Sequence, residues 1–414
     1  MMHISERIAQ ISASPTLAMA AKAAAMKAAG VNIISMSLGE PDFPTPAHVK
    51  QAVKDAVDAD KSHYGPVAGT PGLRAAAADY MSRSGGQFMA EDIIVSVGAK
   101  QSICNAIETL VGEGDEVILP TPCWVSYSEM VKLAQGTPVF VRTRMENDFI
   151  LTPEELEGAI TPRTKLLVIC SPNNPTGAIY SAEDIAALAK VLLRHPNIAV
   201  IADEIYSKIS YAGESASWAN RTELLDRLVL VNGVSKAFAM TGYRIGWLAC
   251  KDKSFIKACT RLQGQQITCA TMVAQSAAEY ALRGDIKCVD EMTEAFRRRR
   301  DLIVDLAKDI PGWKVRCPKG AFYLFPDVTA LFGKRAPIDS AYTKHKQEQG
   351  IDDSACIHSA DELCEYLLMD GLVACVSGSA FGEDTCIRIS YACSEQQITE
   401  AMTRIRAAIN QLTD

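Results

Sequence analysis

The chain has no run of about 18–20 consecutive apolar residues, the length a helix needs to cross a bilayer. A secretory leader is not expected either, because Glu6 stands early and Lys22 and Lys27 interrupt the alanine-rich stretch near the start. No Cys-x-x-Cys pair occurs among the thirteen cysteines, so no paired spacing suggests zinc and no metal is expected. Their odd number, and thiols such as Cys170, Cys250 and Cys375 inside apolar runs, imply reduced, buried cysteines in a cytoplasmic protein. Positive charge is not in excess: the formal net charge of −7 supplies no global field for nucleic acid or an anionic membrane surface. The one basic run, Arg297 to Arg300, shares a helical pattern with Phe296, Leu302, Ile303 and Leu306, and reads as a solvated helix face. Repeats and low-complexity tails are absent.

What is present is enough apolar residue for a large core. At 414 residues, 48% of them hydrophobic, two domains are expected. Pro15 to Ala29 reads as an alanine-rich helix. Gly39-Glu40-Pro41 marks a turn-rich loop, either an ordinary connector or backbone that comes close to something. Thr45 as N-cap and Pro46 at the first helical position open a helix from Ala47 to about Asp58. Thr70-Pro71-Gly72 opens another, to about Ser82.

From Asp92 the pattern alternates. Strands are expected at Ile93–Val97, Glu116–Leu119, Pro138–Arg142, Lys165–Cys170, Ile198–Ala202 and Leu228–Val231. Helices are expected at Lys100–Val111, Val125–Ala134 and Ala182–Leu193. Such alternation predicts an α/β protein with a mostly parallel sheet covered by helices on both faces. Beyond Asp252 helices dominate, with strands near Ala321–Phe325, Gly371–Val376 and Cys386–Tyr391. The polar segment from Phe332 to Asp361 reads as an irregular insertion or mobile loop.

In parallel sheets, ligands bind beyond the carboxyl ends of the strands. Gly98-Ala99-Lys100 follows the first strand and opens a helix, which is either a tight turn or a phosphate cradle. Ser171 to Gly177 is a loop stiffened by two prolines, with Asn174 as a fixed amide. Asp203, Glu204 and Tyr206 end another strand, where an acid is well placed to meet a cationic ring nitrogen. Lys236 lies shortly past Val231 among small and apolar neighbours. A lone lysine is ordinarily a solvated surface group. A desolvated one has a lowered pKa and becomes a nucleophile toward carbonyls. Arg244, between Gly242 and Gly246, suits a phosphate. An aldehyde-binding amine beside a phosphate-binding arginine suggests pyridoxal phosphate. Arg388, flanked by Ile387 and Ile389, is either a solvent-facing strand residue or an anion clamp.

Ser-Pro-Asn-Asn-Pro-Thr-Gly177, Asp203-Glu-Ile-Tyr206, the run from Ser235-Lys236 to Arg244-Ile-Gly246 and Arg388-Ile-Ser-Tyr391, in this order, closely resemble the fold-type-I pyridoxal-phosphate aminotransferases. Gly39-Glu-Pro-Asp-Phe43, Pro122-Cys-Trp-Val-Ser-Tyr127 and Asn232-Gly-Val-Ser-Lys236 look most like the prokaryotic subgroup of aspartate aminotransferases. The resemblance spans nearly the whole chain. It implies a large cofactor-binding domain over residues 46–295 and a smaller α+β domain from both termini, 1–45 and 296–414.

The resemblance also implies roles. Lys236 is the Schiff-base lysine and proton shuttle. Asp203 pairs with the pyridinium nitrogen, Tyr206 and Asn174 reach the phenolate oxygen, and Trp124 stacks on the ring. The backbone groups of Gly98, Ala99 and Lys100, with Ser235 and Arg244, bind the phosphate, and Tyr64 reaches the phosphate of a second subunit, so a homodimer is expected. Arg388 clamps the substrate α-carboxylate, with Gly39 on the same side and Trp124 and Asn174 also meeting substrate. Lys100 and Ser14 are the candidates for a distal carboxylate.

Some residues depart from the family pattern. Ser12-Ala13 stands where a lysine and proline usually precede that serine, and Cys123 replaces a tyrosine. The expected reaction is ping-pong transamination between L-aspartate and 2-oxoglutarate. A prephenate or aromatic aminotransferase is the alternative on the same scaffold. Carbon–sulfur lyases and aminocyclopropane-carboxylate synthases share the fold but eliminate or cyclise. A DNA-binding regulator built on this domain is disfavoured by the acidic charge and by a match that begins almost at Met1.

Overall fold

A computed structural model describes residues 2–414. Its centre is a seven-stranded sheet. The strands are β1 (Ile93–Ser96), β2 (Glu116–Thr121), β3 (Thr137–Arg142), β4 (Thr164–Cys170), β5 (Ala199–Asp203), β6 (Leu228–Gly233) and β7 (Gly246–Ala249). Their spatial order is β1-β7-β6-β5-β4-β2-β3, and only β7 runs antiparallel to its neighbours. Six of these strands follow the expected pattern. β7, Gly246–Ala249, is not among the strands expected.

The near-continuous apolar run of β4 is explained by cover on both faces. Leu166, Val168 and Cys170 face one core, while Leu167 and Ile169 face the other. This period of two also sets which strand-end residues share a face. Cys170 pairs in register with Asp203 at the carboxyl ends of β4 and β5.

The surrounding helices start where local chemistry stops the chain from continuing extended. Thr70 accepts the Leu73 N–H at 3.3 Å, with Pro71 at the first helical position. Helix Ala47–Asp58 corrects the expectation for its start. Pro46 is its N-cap, and Thr45 instead donates its hydroxyl to the Ala239 carbonyl at 3.2 Å, which ties this helix to the Lys236 loop.

The terminal parts of the chain form two smaller sheets. Ile34–Ser35 pairs parallel with Val373–Ala374. Ile387–Ser390 lies between Val376–Ser377 and Tyr323–Leu324, antiparallel to both, with Arg388 opposite Val376 and Ile389 opposite Leu324. The strand expected over Gly371–Val376 is thus two short strands in two sheets, interrupted at Cys375. The long helix Lys287–Lys308 runs unbroken past residue 295.

Two further expectations are corrected. The Arg297–Arg300 run is not wholly solvated. Helical spacing puts Arg299 on the same face as buried Phe296 and Ile303. Its guanidinium grips both carboxylate oxygens of Asp42, at 2.6 and 3.0 Å, and lies 4.7 Å from the Phe43 ring. The segment 332–361 is not irregular throughout, since it holds helix Ala341–Glu348. Asp370, far along the chain, fixes that helix by accepting the Ala341 and Tyr342 N–H groups at 2.8 and 2.9 Å. Among the described residues, no helix is long and apolar enough to cross a membrane.

Candidate active site

The ends of β1, β4, β5 and β6 converge on a cavity of about 380 Å³. Ser14, Gly39, Ala99, Lys100, Trp124, Asn174, Asp203, Tyr206, Ser235, Lys236, Arg244 and Arg388 all line it. They are drawn from segments spread over the whole sequence, so the fold assembles what the sequence scatters.

Lys236 stands just beyond β6. Its stem is enclosed and its amine faces the cavity, where Nζ donates to the Gly39 carbonyl at 2.6 Å. Burial lowers its pKa to about 8; Glu40 opposes this, while Arg388 and Arg244 add to it. Near neutral pH, loss of the ammonium proton is therefore far easier than for a solvated lysine, and the free amine is the nucleophilic form.

Asp203 is buried at the end of β5. Burial raises its pKa to about 6, and hydrogen bonds and Lys236 hold it from rising further. Tyr127 donates its hydroxyl to Asp203 Oδ2 at 2.7 Å, and the Ile205 N–H reaches Oδ1 at 3.2 Å. Tyr127 has no role assigned in the sequence analysis. Its signal was helical spacing, because it lies one turn beyond Trp124 and the two rings meet edge to face at 5.4 Å. Tyr127→Phe removes a hydrogen bond that favours the ionised carboxylate. The acid limb of the kcat/KM–pH profile then moves to higher pH. An unmoved limb would reduce Tyr127 to packing.

Arg388 settles its two alternatives by position: it is 2% exposed and faces inward. Nη1 donates to Asn174 Oδ1 at 2.9 Å and Nη2 to the Ser37 carbonyl at 2.5 Å. Its guanidinium lies 4.7 Å from the Tyr323 ring and 4.8 Å from the Phe381 ring. Burial lowers its pKa. Nε has no hydrogen-bond partner. A buried guanidinium held by neutral acceptors, with a donor to spare, favours an anion. Tyr323, also without an assigned role in the sequence, bonds Tyr206 hydroxyl to hydroxyl at 2.8 Å. A Cβ at position 39 would collide with the Tyr323 hydroxyl, so the backbone approach suggested by Gly39 is real.

At the opposite wall, Gly98 begins helix Ala99–Leu110 with φ of +83°. A Cβ there would stand 2.6 Å from Arg244 Nη2, so glycine lets the guanidinium come up against the helix start. Arg244 is held by its own donation to the Thr241 carbonyl at 2.9 Å. Lys100 Nζ lies 5.0 Å from the Trp124 ring, with its pKa lowered by burial and then by Arg244. Helix-start N–H groups, Arg244 and Lys100 make this wall positive. Tyr64 does not line the cavity and is 90% exposed on the surface.

A cavity with a softened amine, a buried carboxylate and a cationic wall fits pyridoxal phosphate, whose aldehyde, ring nitrogen and phosphate need those three groups. Residues 31–405 match the aminotransferase class I and II family. The aspartate aminotransferase of Rhizobium meliloti (strain 1021) is 42% identical over 98% of this chain and 96% of its own length. A Petunia hybrida protein described as a bifunctional aspartate aminotransferase and glutamate/aspartate-prephenate aminotransferase is 41% identical over 98% of this chain and 82% of its own. The crystal structure of a Rhizobium meliloti aspartate aminotransferase superposes with a TM-score of 0.92 at 41% identity, covering 100% of both chains. The chain belongs to the class I and II aminotransferases, and its cofactor is pyridoxal 5′-phosphate.

Proposed function

We propose that the enzyme moves the amino group of L-aspartate to 2-oxoglutarate, giving oxaloacetate and L-glutamate in two ping-pong half-reactions. The observation that carries this reading is the pair of cations at one cavity, Arg388 with its unpartnered Nε and the partly desolvated Lys100. A dicarboxylic amino acid has two carboxylates for them.

Bound pyridoxal phosphate supplies the aldehyde that takes the amino group and a conjugated ring that accepts the electron pair released at Cα. Lys236 would hold the aldehyde and, once released by substrate, move the proton at the substrate Cα. Asp203 keeps the ring nitrogen protonated, and Tyr127 holds that carboxylate in place. Arg388 would grip the α-carboxylate through its planar fork and so fix the orientation of the Cα bonds. Trp124, Asn174 and Tyr206, which line the same cavity, would hold the ring. The backbone groups of Gly98, Ala99 and Lys100, with Ser235 and Arg244, would hold the phosphate, which leaves the Lys100 side chain free for substrate.

Lys100 and Ser14 meet the distal carboxylate, and Gly39 supplies backbone beside Arg388. The exposed Tyr64 fits a reach across to the phosphate of a second copy, so the working unit in this reading is a cytoplasmic homodimer. The division into residues 46–295 and the two terminal parts belongs to the same reading, with the seven-stranded sheet in the larger unit.

The test is L-aspartate alone, with no 2-oxo acid added. One equivalent of oxaloacetate per site is expected, and none would move the reaction to another donor or to elimination. Lys100→Ala is expected to lower kcat/KM for aspartate and glutamate about tenfold and to spare alanine; equal losses would remove Lys100 from distal recognition. A second reading, prephenate as acceptor, is favoured by Leu17 and Leu38. These apolar side chains are 63% and 42% exposed, line the same cavity and would meet a carbocyclic ring. Reoxidation of the amino-loaded enzyme by prephenate at a rate matching 2-oxoglutarate would establish it.

A further inference from the structure

The polar segment 332–361 contributes nothing to the active-site cavity, yet it gathers three metal-ligating side chains. Asp353, Cys356 and His358 each place one donor atom so that all lie within 4.8 Å of one another. The backbone builds the cluster: Asp353 takes a left-handed turn at φ of +54°, and the Cys356 N–H closes it onto the Asp353 carbonyl at 3.0 Å. Cys356 also bridges to Arg335 across the base of the segment.

The thiol is 6% exposed, whereas Asp353 and His358 are exposed. The sulfur is therefore the fixed inner donor, and the other two face solvent. Cys356 Sγ lies 3.6 Å from His358 Nδ1. Tetrahedral zinc, at roughly 2.3 Å to sulfur and 2.0–2.1 Å to nitrogen, sets those two atoms about 3.6 Å apart. Groups around the cluster orient it. The Arg335 guanidinium holds Asp353 Oδ1 at 2.7 Å; Oδ2 lies 3.9 Å from His358 Nε2, the ring nitrogen away from the sulfur, and the backbone N–H of His358 donates to Glu362 Oε2 at 2.7 Å. The sequence hid this grouping because it contains one cysteine, in the spacing Asp-x-x-Cys-x-His, and no cysteine pair.

We propose that Asp353, Cys356 and His358 bind a divalent cation of the zinc class through one sulfur, one nitrogen and one oxygen, with water completing a tetrahedron. On binding, the Cys356 S–H bond breaks, its proton passes to solvent, and an Sγ–metal bond replaces it with no change of oxidation state. Thiolate and carboxylate together balance the charge of the ion. Arg335 beside Asp353 opposes that charge, so affinity is below that of a four-ligand structural zinc.

Cobalt(II) is the probe. It is titrated under argon into the holoenzyme freed of excess cofactor. One equivalent of visible ligand-field absorption of tetrahedral cobalt is expected, and zinc should erase it. Cys356→Ser and His358→Ala are each expected to weaken binding roughly tenfold or more, with transamination retained. If Cys356→Ser loses activity through misfolding, His358→Ala, at an exposed position, decides alone. No tetrahedral spectrum, or one that persists at wild-type affinity in His358→Ala, overturns the site and assigns any cobalt to another thiol such as the exposed Cys317.

Discussion

Lys236→Ala is expected to lower kcat at least roughly ten-thousand-fold and to leave a folded protein that still takes up cofactor. The loss is large because, in the proposed reaction, one amine both holds the aldehyde and moves the proton. No second amine can take its place without displacing the groups around it. Its Nζ is fixed on the Gly39 carbonyl, and its lowered pKa comes from burial at that spot. Cofactor uptake survives because Arg244, the helix start at Gly98 and Asp203 remain. Single-turnover release of 2-oxo acid from aspartate measures the effect. A variant turning over at the wild-type rate would remove Lys236 from the chemistry altogether.

Arg388→Lys is expected to lower kcat/KM about a hundredfold, and to do so for aspartate, glutamate and alanine alike. Lysine keeps the charge but not the fork. The native guanidinium bonds Asn174 and the Ser37 carbonyl and still has Nε to offer. An ammonium on a flexible stem cannot meet both and also hold a carboxylate in one plane. Every α-amino acid has the α-carboxylate, so the loss is common to all. A loss confined to aspartate would instead place Arg388 at the distal carboxylate and force the substrate to bind reversed.

Much of this was legible in the sequence, and the reason is physical. Strands buried on both faces are written as apolar runs, and the parallel arrangement puts chemistry at their ends. Asp203, Lys236 and Asn174 were therefore found by where they stand. Arg388 was ambiguous because period-two alternation says only that it opposes its isoleucine neighbours, not which face meets water. Tyr127 and Tyr323 passed unnoticed because a tyrosine suits a core position equally well; only the Asp203 and Tyr206 contacts give their hydroxyls a task. Arg299 was misread as solvated because its partner Asp42 is 257 positions away in the chain. Helix Ala341–Glu348 was missed for the same reason: distant Asp370 fixes its first turn, and Lys346 is tucked in by an ion pair with Glu362 at 3.0 Å.

The strand Ile387–Ser390 has ladders on both sides, and this bears on how the chain can change length. A single inserted or deleted residue between its two neighbours would shift the alternation by one and turn every side chain to the opposite face. An isoleucine would then face the cavity and the guanidinium would enter the hydrocarbon behind it. Substitution at this strand is graded, but a length change there is all or nothing. A length change within 332–361 shifts no ladder against Arg388, whereas the strand that carries the arginine tolerates only a fixed count of residues.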